Sequence, residues 1–191
     1  MDAATPPRRP ADPARAVLDA ADELFYERGI GGVGMAEVRD ASGVSLRRLY
    51  QLHASKHALV SAWLHDRHER WMRWFTTAVE RRTAGGSDAA VAVFDALREW
   101  AASPRYRGCA FINAVAEVSE IDDEHRVIVA DHKRELLEYL SSLVLRDHPD
   151  APEWMAAAIA VLVDGAIVQA VIVGNDAPIV AAREAAQRLL G

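Results

Sequence analysis

Apolar residues recur along this chain at intervals of three and four positions, with polar residues between them. This period matches one face of an α-helix, and runs with the strict alternation of a β-strand do not occur. Helices are predicted over residues 14–28, 35–42, 46–53, 55–82, 88–102, 109–119, 124–146, 152–174 and 177–190. The pattern therefore predicts an all-α fold of about nine helices.

Glycine and serine mark the ends of the first four predicted helices. Gly29 and Gly43 follow the first and second helix, where we expect left-handed C-terminal caps. Ser45 and Ser55 precede the third and fourth, where a side-chain oxygen can accept a first-turn N–H. The inward face of the second helix is predicted to carry Met35, Val38 and Ala41.

The apolar stripe of the long fourth helix is interrupted at Arg67 and His68. Such a break suits a helix that passes from one packed body into another, and we place a domain junction near it. The chain is accordingly divided into a Pro/Arg-containing tail at residues 1–11, a small domain at 12–60 and a larger one at 61–191.

Charge is unevenly distributed. The net charge is −6, yet residues 1–82 carry 13 basic and 11 acidic side chains, whereas residues 83–191 carry 9 and 17. No acidic residue occurs between Asp40 and Asp66. The negative net charge disfavours binding of nucleic acid over the whole surface. Any such binding is expected to be confined to residues 41–65, the basic segment that contains no acidic residue.

Cysteine and hydropathy bear on location. Cys109 is the single cysteine, which excludes an intramolecular disulfide and fits a reducing cytosol. Residues 1–13 lack the apolar core of a secretory leader, and we expect a cytoplasmic protein. Residues 155–174 are long enough to cross a bilayer, but Asp164 and Gln169 interrupt them, which favours a buried helix over a membrane span.

The second and third predicted helices, joined by a short turn that contains Gly43, have the spacing of a helix-turn-helix motif. In that motif the second helix enters the major groove of DNA, and arginine on its exposed face meets base edges or phosphates. Arg47 and Arg48 occupy such positions, with Ser45 as the cap and Lys56 nearby. The same spacing also occurs in purely structural bundles.

The residue order resembles the amino-terminal DNA-binding region of the TetR family of one-component transcriptional regulators. The runs LDAADELFYERGI, MAEVRDASGVS and LYQLHASKHAL carry this resemblance, which spans residues 14–64. It implies a homodimeric regulator of a palindromic operator in double-stranded DNA, most simply a repressor released when a small apolar or aromatic effector binds the carboxy-terminal domain. The release would come from a tilt of the long helix, with Arg67 and His68 as candidates for transmitting it.

Individual roles follow from the resemblance. Ser45, Tyr50 and Lys56 correspond to phosphate contacts, and Arg47 and Arg48 to base-reading positions. The complete predicted DNA-binding set is Ser45, Arg47, Arg48, Tyr50, Gln51 and Lys56.

Two departures from the family pattern are visible. Val33 and Gly34 replace the usual threonine-rich entry to the second helix, which removes a hydroxyl contact to phosphate. Leu52 and His53 stand where the family often has His and Phe, which places a polar ring at an aromatic packing position. Arg8 and Arg9 suggest either an arm that reaches the minor groove or a solvated tail.

Large side chains are concentrated in the long helix and the three helices that follow it. They predict either a cavity for an apolar molecule or an ordinary core. The candidate pocket residues are Trp71, Phe75, Phe94, Trp100, Phe111, Asn113, His132, Tyr139 and Asp164. The last two helices are instead rich in small residues that permit close approach across a twofold axis, and the predicted dimer contacts are Ala158, Gly165, Ala166, Ala182 and Ala185.

Three other functions remain open at this point. The chain lacks a phosphate loop and a nucleophile elbow, and we expect neither an enzyme nor a resident cofactor. A metal-responsive regulator is the second alternative, in which His65 and His68, or His125 with Asp122 and Asp123, supply ligands. The third is a helical binding module for a small molecule or a protein that has lost its DNA role.

Overall fold

The computed structural model describes residues 12–117 and 122–191. The predicted tail and the candidate arm at Arg8 and Arg9 lie outside these residues, as do positions 118 and 119 of the sixth predicted helix. The described residues form nine α-helices and no strand. The helices are α1 Pro13–Arg28, α2 Met35–Ser42, α3 Leu46–Leu52, α4 Lys56–Thr83, α5 Ala89–Ala101, α6 Ala110–Ala116, α7 Asp123–Asp147, α8 Trp154–Val173 and α9 Ala177–Leu190.

The all-α prediction is confirmed, and several helix ends shift by one to three residues. The N-terminal shifts of α4 and α5 follow from capping, because a cap residue lies outside the helix that it serves. Asp88 accepts an N–H from Val91 at 3.1 Å and caps α5. Ser55 accepts one from Ala58 at 3.1 Å and caps α4.

The chain divides into two compact units. The first comprises residues 12–67 with 113–117 and 122–128, and the second comprises 68–112 with 129–191. In α4 the division falls between Arg67 and His68, at the interruption of the apolar stripe. The functional domains at 12–60 and 61–191 stay a prediction.

The core of the first unit joins the first four helices. Phe25 of α1 and Trp63 of α4 meet edge to face, with ring centroids 5.3 Å apart. Val38 of α2 and Leu49 of α3 are completely buried. Burial of large apolar side chains, at about 1.5–3 kcal/mol each, fixes α3 against its neighbours.

The second unit is built on α5, α8 and α9, which pack against one another. Phe94 and Leu97 of α5, Ile159 of α8 and Ile179 of α9 are completely buried. Small residues on α8 and α9 let these helices approach closely.

Two local expectations were wrong. Ala41 is exposed, and Ser42 instead shares the buried face of α2 with Val38. Gly29 has φ 80° and ψ 157°, which is outside the left-handed helical region, although its N–H does close α1 on the carbonyl of Phe25 at 3.0 Å. Gly43 does adopt the predicted left-handed conformation, with φ 68° and ψ 11°.

Among the described residues, α8 is the one helix that is long and apolar enough to cross a membrane. A third of its most apolar stretch is buried within the chain. The remainder is half-buried or exposed, and its exposed apolar residues include Val161 and Ile172.

Candidate functional site

The turn between α2 and α3 presents α3 as a short, capped helix. Ser45 has an extended backbone, and its Oγ accepts the N–H of Arg48 at 3.2 Å. Leu49 anchors the inner face of α3, because its side chain is completely buried. Because Leu49 packs inward and Ser45 caps the first turn, the opposite face of α3 points to solvent.

That outward face carries the predicted DNA-binding residues. Arg47, Arg48 and Gln51 are exposed, and 47% of Tyr50 is exposed. Within the described part of the chain, Arg47 and Arg48 form no ion pair, in contrast to Arg28 and Arg39 on the preceding helices. Two guanidinium groups are thus available to bases or phosphates.

Lys56 is the first residue of α4 and is half-buried. Its position after the Ser55 cap places a cation at the start of the long helix, close in sequence to α3.

Two acidic residues, Asp22 and Asp66, join α1 to α4 through hydrogen bonds. Asp66 accepts two hydrogen bonds from the Arg15 guanidinium, at 2.5 and 2.9 Å. This pairing raises the pKa of Arg15 above its ordinary value. Asp22 accepts from the indole N–H of Trp63 and from Arg67, each at 2.8 Å.

Arg67 lies over the ring of Tyr26, 3.9 Å from its centroid. Its side chain is only 13% exposed, so Arg67 is packed against its neighbours and is not a solvated surface residue.

Glu117, which directly follows α6, holds the loop between α1 and α2. Its carboxylate accepts the N–H of Gly31 at 2.7 Å. A Cβ built on Gly29 would lie 2.9 Å from the same carboxylate. Sequence patterns did not reveal this clamp, because the partners are separated by 86 positions.

The two departures from the family pattern lie at the entry to α2 and at the end of α3. At the entry to α2, the Glu37 carboxylate accepts the backbone N–H of the N-cap residue Gly34 at 2.9 Å, whereas Gly34 supplies no side-chain cap to the first turn. Val33 is buried in the core. The Nε2 atom of His53 is buried and lacks a hydrogen-bond partner, and burial lowers the pKa of this imidazole.

In the second unit, most of the predicted pocket aromatics form one cluster centred on Trp71. This ring stacks on Phe75 at 4.6 Å and meets Trp100 at 5.6 Å and His132 at 5.5 Å. Phe75 in turn meets Tyr139 at 6.0 Å, and Phe111 stacks on His132 at 3.6 Å.

Several polar groups of this aromatic cluster are isolated from water. Trp71 Nε1 and the Tyr139 hydroxyl are buried without a hydrogen-bond partner. Burial raises the pKa of Tyr139 to about 12. Burial, aided by the charges of Lys133 and His68, lowers the pKa of His132 to about 3, and its ring is neutral at physiological pH. Unpaired buried donors cost free energy, and a ligand acceptor would relieve that cost.

The predicted polar anchors of the effector pocket are not buried and unpaired like the donors of Trp71 and Tyr139. Asp164 is paired with Lys133 at 2.5 Å rather than with an arginine, and the same ammonium lies 3.8 Å from the sulfur of Cys109. Asn113, another predicted anchor, is exposed and belongs to the first unit. Phe94 is completely buried in α5.

A groove elsewhere in the same unit was not predicted from the sequence. An open groove of about 500 Å³ lies between the ends of α5 and α8 and the loop after α5. Tyr106 in this loop donates to the carbonyl of Ile167, and Arg98 pairs with Asp176 at 2.8 Å. None of the aromatic cluster residues lines this groove.

The predicted dimer residues divide into two sets. Ala166 and Ala182 are buried within the protomer, with 4% and 7% of their surface exposed, which leaves little area for a second copy. Ala158, Gly165 and Ala185 retain exposed surface. The exposed apolar stripe of α8 comprises Trp154, Ala157, Val161, Gly165, Val168 and Ile172.

Comparison with known proteins identifies the first unit. Residues 17–63 match the sequence model described as bacterial regulatory proteins, tetR family. The part of the chain that contains the turn between α2 and α3 is therefore similar in sequence to the DNA-binding domain of the TetR family. The match contains α2, α3 and the start of α4, and therefore the turn, the cap and the exposed arginines.

Relatives and solved structures agree with this assignment. Two uncharacterized HTH-type transcriptional regulators of Mycobacterium tuberculosis are each 40% identical over 58 residues, which is 30% of this chain and 29% of theirs. A TetR-family transcriptional regulator from Streptomyces coelicolor has the same fold, with a TM-score of 0.81 at 24% identity over 99% of this chain and 96% of that one. The reduced form of E. coli NemR gives a TM-score of 0.83 at 20% identity, over 94% and 98% of the two chains. The whole chain thus has the TetR-family fold, and the 40% identity is confined to 58 residues.

Proposed function

We propose that the protein is a DNA-binding transcriptional regulator whose α3 reads an operator in the major groove. The observation that carries this proposal is the outward face of α3, where Arg47, Arg48 and Tyr50 are exposed on a capped helix within an acid-free segment. A bidentate arginine to guanine is the commonest specific contact in the major groove. Among the remaining candidates, Gln51 suits adenine, whereas Ser45, Tyr50 and Lys56 suit phosphates.

The regulator acts as a homodimer in this proposal. The exposed stripe of α8 is apolar over most of the length of the helix, and 72% of Val161 and 71% of Ile172 are exposed. A second copy of the same surface, related by a twofold axis, would cover both stripes. Twofold symmetry also explains recognition of a palindromic site, with half-sites roughly 34–36 Å apart. Cytoplasmic location follows from the DNA target.

The effector is proposed to be a small aromatic or apolar molecule that enters the aromatic cluster and carries a hydrogen-bond acceptor. The unpaired Trp71 Nε1 and the Tyr139 hydroxyl supply donors, and the neutral His132 adds an uncharged wall. Such a ligand favours release of DNA if it binds the DNA-incompetent state more tightly. Tenfold weaker operator binding requires about 1.4 kcal/mol of coupling.

Two helices are candidates for transmitting that coupling. α4 carries Trp71 and Phe75 and begins at Lys56. α6 carries Phe111, and Glu117 directly after it holds the loop between α1 and α2. A shift of either helix would alter the support of the DNA-binding elements.

The proposal is tested by selecting DNA from a random pool and measuring affinity for the enriched sequence by fluorescence anisotropy at several salt concentrations. We expect a palindromic site whose log affinity falls linearly with log salt, since bound arginine and lysine release counterions. Failure to enrich any site, together with salt-independent binding, would refute the DNA-binding role. Quenching of tryptophan fluorescence in a screen of aromatic compounds, diminished in Tyr139→Phe, then tests the effector site separately.

A further inference from the structure

A cluster of two histidines and one aspartate lies where the start of α4 meets the start of α7, within the first unit. The cluster consists of His57, Asp122 and His125, and one ligand-type atom of each lies within 4.8 Å of the others. Asp122 is the hub, with Oδ2 2.5 Å from His57 Nε2 and Oδ1 3.3 Å from His125 Nδ1. The two imidazole rings are 4.4 Å apart.

The buried histidine of this cluster has a free ring nitrogen that is directed into it. His125 is 1% exposed, and its Nδ1 atom is buried without a hydrogen-bond partner. Its other nitrogen, Nε2, lies 3.3 Å from the backbone carbonyl of His57, which can accept a hydrogen bond but cannot donate one. The proton therefore belongs on Nε2, and Nδ1 presents a lone pair.

A lone pair on Nδ1 faces a carboxylate oxygen that is already occupied. Asp122 Oδ1 accepts the backbone N–H of His125 at 3.1 Å. In the neutral ring these are two acceptors 3.3 Å apart, one of them nearly inaccessible to water, and their repulsion is relieved by a proton or a metal ion between them. A histidine that donates one ring N–H to a carbonyl and directs the other nitrogen inward has the arrangement found in metal-ligating histidines.

We propose that His57, Asp122 and His125 bind a divalent first-row transition-metal ion, with Zn²⁺ as the reference case. Two imidazoles and one carboxylate suit Zn²⁺ and its neighbours, whereas Mg²⁺ and Ca²⁺ prefer sites made of oxygen. Ligands about 2.0–2.2 Å from a tetrahedral ion lie roughly 3.3–3.6 Å apart. The three side chains need only small rotamer adjustments to reach this spacing.

The fourth position of the site is open to solvent or to a neighbouring carboxylate. His57 and Asp122 are 42% and 50% exposed, which gives the ion a path of entry. Glu124 Oε2 lies 3.8 Å from His57 Nε2. Glu124 also accepts from Ser61 at 3.0 Å, which restrains its side chain beside the cluster. Water or Glu124 completes the coordination.

The experiment is a titration of the full-length protein with Co²⁺, followed by its visible d–d absorption and then by competition with Zn²⁺. No DNA is present, and the result is therefore independent of the proposed regulatory function. We expect one intense, tetrahedral-type spectrum per chain, which Zn²⁺ abolishes and a large excess of Mg²⁺ leaves unchanged. Thermal unfolding in the presence of Zn²⁺ should give a higher Tm than in the presence of a chelator.

Variants assign the ligands. His57→Ala and Asp122→Asn should each weaken Co²⁺ binding by more than about tenfold and remove the Zn²⁺-dependent rise in Tm, because loss of a direct ligand exceeds the 10–100-fold effect of losing its support. Both positions are half-exposed, and the side-chain amide introduced by Asp122→Asn retains an oxygen that can cap α7. His65→Ala, an exposed histidine on the same helix, is the matched control and should bind Co²⁺ like the wild type.

Two results would overturn the proposal. An octahedral, hexaaqua-type Co²⁺ spectrum with no rise in Tm would mean that the cluster is only a hydrogen-bonded helix cap. Equal Co²⁺ affinity in wild type and His57→Ala, with loss in His65→Ala, would place metal binding elsewhere on α4.

Discussion

At the residue scale, the arginines of the first unit differ in whether they pair with a carboxylate among the described residues of the same chain, and the proposed DNA binding uses those that do not. Arg15 and Arg67 are engaged by Asp66 and Asp22 and serve the packing of α1 on α4. Arg47 and Arg48 have the same chemistry but form no ion pair within the described residues. A guanidinium that has no intramolecular carboxylate to give up binds an external acceptor at lower cost.

Arg48→Ala should therefore weaken specific operator binding by about 1–3 kcal/mol, or roughly tenfold to a hundredfold, and relax sequence preference at the base pair that it contacts. Anisotropy on the selected operator and its single-base variants measures both effects. Arg134→Ala, which removes one exposed arginine from α7, is the matched control and should bind like the wild type. Unchanged affinity and preference in Arg48→Ala would remove the base-reading role from this residue.

Tyr50→Phe should lower the affinity for operator and for unrelated DNA alike, because a phosphate contact carries no sequence information. Loss of one hydrogen bond predicts about 0.5–1.5 kcal/mol, which anisotropy on the two DNAs measures. A loss restricted to the operator would instead indicate that the hydroxyl reads a base.

Gly29 is the backbone position at which a side chain is least tolerated. With φ 80° and ψ 157°, it occupies a region that is nearly exclusive to glycine. Gly29→Ala should lower the free energy of unfolding by about 1–3 kcal/mol, measured by urea denaturation. Gly34→Ala in the same loop is the control. Gly34 has φ −98°, and a Cβ at this position would lie 3.7 Å from its nearest neighbour, so the substitution should change stability far less. Equal effects of the two substitutions would show that backbone conformation at Gly29 is not limiting.

At the scale of helices, burial of a titratable ring couples α7 to the aromatic cluster. His132 of α7 stacks on Phe111 of α6 and bonds to His68 of α4 at 3.0 Å. Its pKa of about 3 lies below the value of about 6.5 expected in the unfolded chain. Because the unfolded state binds the proton first, stability contributed by the neutral ring is present above pH 6.5 and is lost as the pH falls toward 3.

His132→Phe should flatten this pH dependence. In the wild type, the free energy of unfolding should fall by up to about 1.4 kcal/mol for each pH unit below about 6.5. This limit applies if His132 binds no proton in the folded state. Urea denaturation from neutral to mildly acidic pH compares the slopes, and His65→Phe, at an exposed position, serves as the control. Parallel curves for wild type and His132→Phe would show that the ring accepts a proton in the folded protein.

At the scale of the whole molecule, the exposed apolar stripe on α8 is the surface that the proposed homodimer would cover. An exposed apolar surface of this length is typical of an interface, and a twofold arrangement of two α8 helices would cover it. The same helix is long and apolar enough to cross a membrane, and the proposed dimer would bury its apolar residues against a second copy instead.

Val161→Glu should convert the dimer to a monomer and weaken operator binding by more than about tenfold, because one protomer engages a single half-site. Light scattering coupled to size-exclusion chromatography measures the mass, and anisotropy measures the affinity. The control is Val127→Glu, which changes a valine on α7 that is 59% exposed. This variant should remain dimeric. A Val161→Glu protein that remains dimeric would exclude this stripe as the interface.

Local structure could be predicted from the sequence alone. Periodicity of apolar residues predicted the helices, and Ser45 and Gly43 marked the turn before α3, because caps and left-handed glycines depend on neighbouring residues. The acid-free segment and the order of residues through Leu64 were sufficient to indicate a TetR-like DNA-binding domain.

The meeting of distant side chains, by contrast, became visible only in the folded chain. Glu117 and Gly31, or His57 and His125, are separated by 86 and 68 positions, and no periodicity relates them. Burial also depends on the neighbours of a helix: Ala166 and Ala182 look like interface residues in sequence but pack inside the protomer, whereas Asn113 is exposed. Side-chain pairing across helices is set by packing of the whole chain, because it requires relative positions that a local pattern does not contain.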